Sequence, residues 1–379
     1  MDFGLNEDQE TLAKYARDFL TNECPTTFVR TMMESDTAHD PSFYSKMAAL
    51  GWMGIAIPEE FGGQGMTYVD LAVLLEETGR AVLPGPFFAT VGLAAPVILE
   101  AGGDDQRKAL LAPLAAGERT ATVAYTEPNA RVDATGIEMT AQSANGTFSL
   151  SGVKSFVLDA HVADTLVVAA RTSDGGDPTE GITLFAVDAK ADGVTISQLT
   201  AMDATRRLCE IHFDGVSVGP DAVLGGVDTG WSPLERALQK AAALLSAECV
   251  GGAAQVMDMS VEYARNRIQF GRPIGSFQAV KHKCADMLVD VELARSAMYF
   301  AAWAASDEES ELPLAASMAK SFCSDAYLRV ATNGIHVHGG IGFTWEHDMH
   351  LYFKRAKADE VLLGDPTYHR DLVARLVPA

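Results

Sequence analysis

Three hundred and seventy-nine residues exceed one hydrophobic core, so two or three domains are expected. Apolar residues make up 48% and charged residues 21%, a globular balance that excludes a disordered chain. Fifty-one acidic against 29 basic side chains leave a net charge of −22, which argues against a nucleic acid or an anionic membrane as main partner, since either needs a basic surface.

In chain order, residues 1–118 read as an N-terminal helical domain. Leu12, Tyr15, Ala16 and Phe19 fall at helical spacing, as do Leu71, Leu74, Leu75 and Thr78, and Asp104 to Ala116 read as a short closing helix. The amphipathic, acidic N-terminus lacks the basic-then-apolar pattern of a signal peptide. Residues 119–222 change character. Short runs rich in Val, Thr, Ile and Phe (Ala121–Tyr125, Thr147–Leu158, Thr165–Ala170, Ile182–Val187, Val194–Leu199, Glu210–Phe213) predict a central antiparallel β-barrel or sandwich. Residues 223–379 return to helix, over Ser232–Asn266, Ser276–Ala305 with Ser276 setting the start, Glu311–His338, a short segment at His347–Lys354, and a last helix from Asp365. The fold class is therefore α+β. Lys240 and Glu248 interrupt the most apolar long segment, so no membrane span is expected. Five cysteines without a CxxC pair predict neither disulfides nor a metal site and suit a reducing, cytoplasmic setting.

Three clusters of strings carry candidate chemistry. His338-Gly339-Gly340-Ile341-Gly342 lies between helices, so it is either a tight turn or a backbone approach to a phosphate or adenine. Arg267 to Gln278, with arginines beside glycines, is either a helix C-terminus and loop or a pyrophosphate site. Tyr125-Thr126-Glu127-Pro128 and Gly152 to Phe156, taken alone, are strand ends and turns.

In order along the chain, these strings, with Phe3 to Gln9, Leu50-Gly51-Trp52, Ile57 to Glu60 and Gly62-Gly63, resemble the acyl-CoA dehydrogenase family over essentially the whole length. GRPIGSFQAVKH (from Gly271), HGGIGFTWEHD (from His338) and LLGDPTYHR (from Leu362) are closest to an actinobacterial-type branch acting on bulky acyl-CoAs, including steroid side chains, in which some members work as two different chains. The resemblance implies an N-terminal helical domain, a central β domain and a C-terminal helical bundle. It also implies FAD, an acyl-CoA substrate, an electron-transfer flavoprotein as acceptor, and a homo-oligomer or a heterotetramer with a related chain. Tyr125, Thr126, Phe156 and Leu158 would then border the flavin. Arg267, Phe270 and Gln278 would hold pyrophosphate and adenine, and His336, Gly339 and Gly340 the adenosine end.

The sequence departs from the family where the base should be. Aligning Lys357 and Gly364 puts Leu363 at the position of the usual catalytic glutamate, and the alternative position on the first long C-terminal helix is Ala241. Glu248, two turns along that helix, is the tentative base. A lone carboxylate in so apolar a run is otherwise a buried structural glutamate with a basic partner. Asn129 to Val132 replaces the usual Gly-Ser, Phe156-Val157-Leu158 replaces a Trp-Ile-Thr string and its hydroxyl, and His336 replaces a glutamine. Loss of both usual base positions supports a second expectation, a non-catalytic subunit that completes a partner's FAD and substrate pockets.

Overall fold

The computed structural model describes residues 4–144, 146–308 and 310–377, so Phe3 of the opening motif lies outside the described residues. Helix α1 (Glu7–Glu23) opens on a capping box in which Asn6 accepts from the Gln9 amide and Gln9 returns the bond. Next come α2 (Thr26–Glu34), α3 (Pro41–Ala49), α4 (Tyr68–Arg80), α5 (Ala95–Ala101) and α6 (Asp104–Ala115), with a π-helical turn, Phe88–Ala94, leading into α5. The strands are β1 (Ala121–Ala124), β2 (Thr140–Ala144), β3 (Thr147–Leu158), β4 (Thr165–Arg171), β5 (Ile182–Asp188), β6 (Val194–Leu199), β7 (Leu208–Val218) and β8 (Val223–Leu224). Helix α7 (Trp231–Asn266) and a short hairpin, β9 (Ile268–Gln269) and β10 (Arg272–Pro273), precede α8 (Gln278–Asp307), α9 (Leu312–His338), α10 (Met349–Val361) and α11 (Pro366–Leu376). Ser276 does not cap α8 as expected: it sits in a 3₁₀ turn, and the helix starts after Phe277 with no side-chain cap.

The chain divides into two compact units. One comprises the segment ending at Thr31, Thr67–Leu83 and the chain from Ala242 on; the other comprises Met32–Met66 and Pro84–Ala241. The second unit is built on an eight-stranded sheet of order β6-β7-β3-β2-β4-β5-β8, with β1 beside β4. The expected antiparallel pairing holds except at β1–β4 and β2–β4, which are parallel. Its core draws on Leu150, Val157, Leu166, Val168, Phe185, Ile211 and Phe213, with Phe148 edge-on to Phe185 at 5.2 Å. The register of β3 against β7 slips between Lys154 and Val157. Such a bulge re-aims a side chain, and inside it Phe156 has φ +61° and is 43% exposed.

The helical unit packs on small residues. Ala243, Ala301, Ala304, Ala305, Ala315, Ala316 and Ala319 form an alanine-rich core with Leu312. Helices α4 and α7 touch backbone to backbone, because a Cβ on Gly79 would lie 2.1 Å from the Glu248 carbonyl oxygen and one on Gly251 would lie 1.8 Å from that of Glu76.

Candidate functional site

In the β unit, the two strings that read as plain strand ends are locked together by an ion pair. Lys154 is fully buried, and its Nζ lies 2.7 Å from Glu127 Oε1 and donates to the Tyr125 carbonyl at 3.3 Å. The same Glu127 oxygen accepts the amides of Glu138 and Met139 at 3.0 and 2.9 Å. Burial lowers the Lys154 pKa to about 8, against the pull of Glu127 beside it. Next to the pair, Thr126 Oγ1 donates to the Ser155 carbonyl at 2.6 Å and the Ser155 amide donates back at 3.0 Å. The ends of β1 and β3 are thus fastened with Thr126 half-buried and Phe156 turned outward. Tyr125 and Leu158 are buried in the unit, unlike these two. The Asn129–Arg131 stretch is a closed turn: Asn129 accepts the Arg131 amide at 3.0 Å and donates to the Gly136 carbonyl at 2.9 Å.

In the helical unit, two of the sequence-selected strings meet. The Arg267 amide continues α7 by donating to Tyr263 at 2.8 Å, and its carbonyl receives the Ile274 amide at 2.8 Å, which closes the β9–β10 hairpin. The Tyr263 ring stacks on His338, the residue before Gly339, at 4.4 Å. His338 Nδ1–H donates to the Gly334 carbonyl at 2.8 Å, and burial lowers its pKa. The end of α7 and the end of α9 are therefore joined through His338, which opens the glycine string, and Tyr263, which the sequence reading did not single out. A tyrosine four residues before Arg267 and a histidine before a Gly-Gly were the only signals.

Around that joint the side chains face outward. Arg267, Gln278 and His336 are exposed, and the Arg267 guanidinium has no hydrogen bond or ion pair among the described residues. Phe270, at φ +52°, is 91% exposed beside Phe277, on which Arg272 stacks at 4.2 Å. A Cβ on Gly339, at φ +65°, or on Gly340 would meet nothing within 4 Å, so both present bare backbone to open space. A partnerless guanidinium at the end of α7 suits an anionic group, and bare glycine backbone at the end of α9 leaves room for a ligand to approach closely, as a dinucleotide would need.

Ala241, Glu248 and Leu363 are all enclosed. Ala241 is fully buried, and Glu248 is 2% exposed with Oε1 3.4 Å from Thr78 Oγ1 on α4. Leu363 follows α10 with φ +61°, 7% exposed, its carbonyl 3.0 Å from His369 Nε2. Glu360 pairs with Lys357. Among the described residues no group of His, Cys, Asp and Glu side chains is arranged to hold a metal, and no helix is long and apolar enough to cross a membrane.

Family models for the N-terminal, middle and C-terminal domains of acyl-CoA dehydrogenases match residues 6–118, 122–216 and 228–377. The chain is 32% identical over 363 residues to the acyl-CoA dehydrogenase IpdE2 of Mycolicibacterium smegmatis, covering 96% of each chain. It superposes on butyryl-CoA dehydrogenase of Megasphaera elsdenii with a TM-score of 0.91 at 27% identity, covering 99% of both chains. On one chain of the ChsE4-ChsE5 complex of Mycobacterium tuberculosis the TM-score is 0.90 at 27% identity, over 100% of this chain and of that one.

Proposed function

The chain belongs to the acyl-CoA dehydrogenase family, and we propose that it serves FAD-dependent formation of the α,β-double bond of a bulky acyl-CoA, of the steroid side-chain type. The observation that carries the reading is the outward-facing set Arg267, Gln278, His336, Gly339 and Gly340, held by the Tyr263–His338 stack in a chain that matches all three domains of the family. In this reading Arg267 pairs with a pyrophosphate, and Phe270 and Gln278 flank it. The backbone of Gly339 and Gly340 beside His336 admits an adenosine, and Thr126 and Phe156, supported by Tyr125 and Leu158, border the flavin ring. Bound FAD supplies the hydride acceptor at the β-carbon. The chain's own work is to bind the thioester, polarise its carbonyl through the Leu363 N–H, and take the α-proton on a carboxylate. Glu248 is that carboxylate in the proposal, and electron-transfer flavoprotein the electron acceptor.

A specific observation favours a second reading. Leu363 and Ala241 are apolar and buried where a base would stand, so a related chain would supply the base and this chain would complete the pockets in a heteromer. One experiment separates the two. The protein is purified alone and with any co-encoded homologue, and each preparation is titrated with octanoyl-CoA and a steroid side-chain acyl-CoA while flavin absorbance is followed. Bleaching by the chain alone, lost at least ~100-fold in Glu248→Gln with flavin retained, supports Glu248 as base. Bleaching only with the homologue, and unchanged in Glu248→Gln, supports the second reading. No bleaching in either preparation rejects both.

A further inference from the structure

The turn joining α10 to α11 is held in a way that packing alone does not require. Lys320, on α9, is fully buried, and its Nζ makes three hydrogen bonds: to Ser324 Oγ at 3.0 Å, the Glu360 carbonyl at 3.1 Å and the Gly364 carbonyl at 3.0 Å. An ammonium has three N–H groups, so all are used, and two of them grip main chain on either side of Leu363. From the other side, buried His369 on α11 reaches the Leu363 carbonyl at 3.0 Å; a carbonyl only accepts, so Nε2 carries the proton. Between these holds Leu363 sits at φ +61°, a strained conformation for a non-glycine residue that persists only where its surroundings impose it.

Burying an ammonium is itself unfavourable, and burial does lower the Lys320 pKa. A methionine would fill the same space without that penalty. Two buried polar side chains and a left-handed leucine therefore converge on one short turn, and what they define is the direction of its backbone.

We propose that Lys320 is a positioning residue: by gripping the carbonyls of Glu360 and Gly364 it sets the Leu363 backbone that polarises the thioester carbonyl of a bound acyl-CoA. The proposal rests on the dehydrogenase reading above, in either its single-chain or its heteromeric form. It assigns Lys320 no contact with substrate. Its effect reaches the reaction through the orientation of one N–H; removing one such donor outright commonly lowers turnover ~100-fold or more, and misaiming it costs less.

The test uses the flavin-loaded protein, with its partner chain where bleaching needs one. Lys320→Met is compared with wild type for flavin content, hydrogen exchange of the peptide spanning residues 358–366, and kcat and KM per bound flavin with octanoyl-CoA and a steroid side-chain acyl-CoA. The expected result is unchanged flavin content, faster exchange confined to the turn, and kcat per flavin down about 10–100-fold with KM within about threefold. Ser324→Ala, which leaves both carbonyl contacts in place, should stay near wild type. If Lys320→Met does not fold, His369→Ala removes the other hold on Leu363 and should reproduce the kcat loss. Wild-type kcat per flavin in whichever of the two variants folds overturns the proposal while leaving the dehydrogenase reading intact, and so does a loss of activity that only tracks lost flavin or exchange spread over every helix. Wild-type protein that neither binds nor is bleached by an acyl-CoA overturns the dehydrogenase reading, and the positioning role with it.

Discussion

Each unit buries one lysine completely, and the two solve the same problem differently. Lys154 in the β unit faces the Glu127 carboxylate at 2.7 Å, whereas Lys320 in the helical unit is held by a hydroxyl and two peptide carbonyls. In both, burial lowers the pKa, and the Lys154 value falls to about 8. The difference lies in what remains when the lysine is removed. Without Lys154 a buried carboxylate loses the cation hydrogen-bonded to it, while without Lys320 the groups that lose a hydrogen bond are neutral and the nearby Asp359 and Glu360 lose only a through-space attraction. An unpaired charge in a low-dielectric interior is far more expensive than an unpaired dipole. The ion pair therefore belongs to the stability of the sheet, and the lysine with carbonyl partners belongs to the placement of a turn.

The largest effect that this contrast foresees is on unfolding. Lys154→Met should destabilise the protein by about 3–5 kcal/mol, the usual result of breaking one side of a buried pair. Adding Glu127→Gln should recover much of the loss, since the glutamine oxygen can still accept the Glu138 and Met139 amides without a charge. Urea unfolding followed by circular dichroism gives the ranking. The contrast breaks if Lys154→Met is no less stable than Lys320→Met.

A third cation sharpens the comparison because it is neither buried nor paired. Arg267 is exposed and makes no ion pair among the described residues, so folding gives it nothing to hold. Arg267→Ala should leave the unfolding midpoint of the flavin-free protein unchanged and weaken flavin binding roughly 10–100-fold, since hydrogen bonds to a charged group contribute about 1.5–3 kcal/mol. Wild-type flavin occupancy at equal concentration, read from the visible spectrum, would remove Arg267 from the cofactor site.

What the sequence disclosed, and what it hid, follows the same line. Apolar periodicity located β3, β4 and the three long C-terminal helices to within a few residues, because those segments bury continuous faces. Strand β2 escaped notice because TAQSA offers one buried side chain, Ala141, and no apolar run. The start of α8 was misplaced because serine is a common cap, while here the hairpin before it carries the chain past Ser276 and no side chain caps the helix. At the candidate site, Arg267, Gln278, Gly339 and Gly340 were legible as motif residues, but their support was not. The Glu127–Lys154 pair spans 27 residues and the Lys320–Gly364 bond 44, separations at which no local pattern signals contact. Nor does leucine announce a left-handed backbone, and at Leu363 tertiary hydrogen bonds impose it.

The smallest expected effect concerns the partner of Lys320 at that turn. Burial, reinforced by the nearby Lys320 charge, lowers the His369 pKa from 6.5 to about 4, so the folded protein keeps this ring neutral and its Nε2–H on the Leu363 carbonyl. In the unfolded chain the ring titrates near 6.5, so between pH 6.5 and 4 the unfolded state binds the extra proton. The stability this neutral histidine permits is complete above pH 6.5 and drains away as pH falls toward 4. At pH 5.5, one unit below the unfolded value, the loss from this ring is about 1.4 kcal/mol. His39, His338, His347 and His350 are also lowered by burial and add to the acid slope in the same sense, so the whole-protein curve cannot isolate one ring. A difference can. His369→Gln keeps an N–H donor for the carbonyl and removes the titration, so its stability relative to wild type should improve by about 1.4 kcal/mol from pH 8 to pH 5.5, measured by urea unfolding at both values. Parallel curves for the two proteins across that interval would mean that the ring is protonated in the fold, and that the turn is held by charge after all.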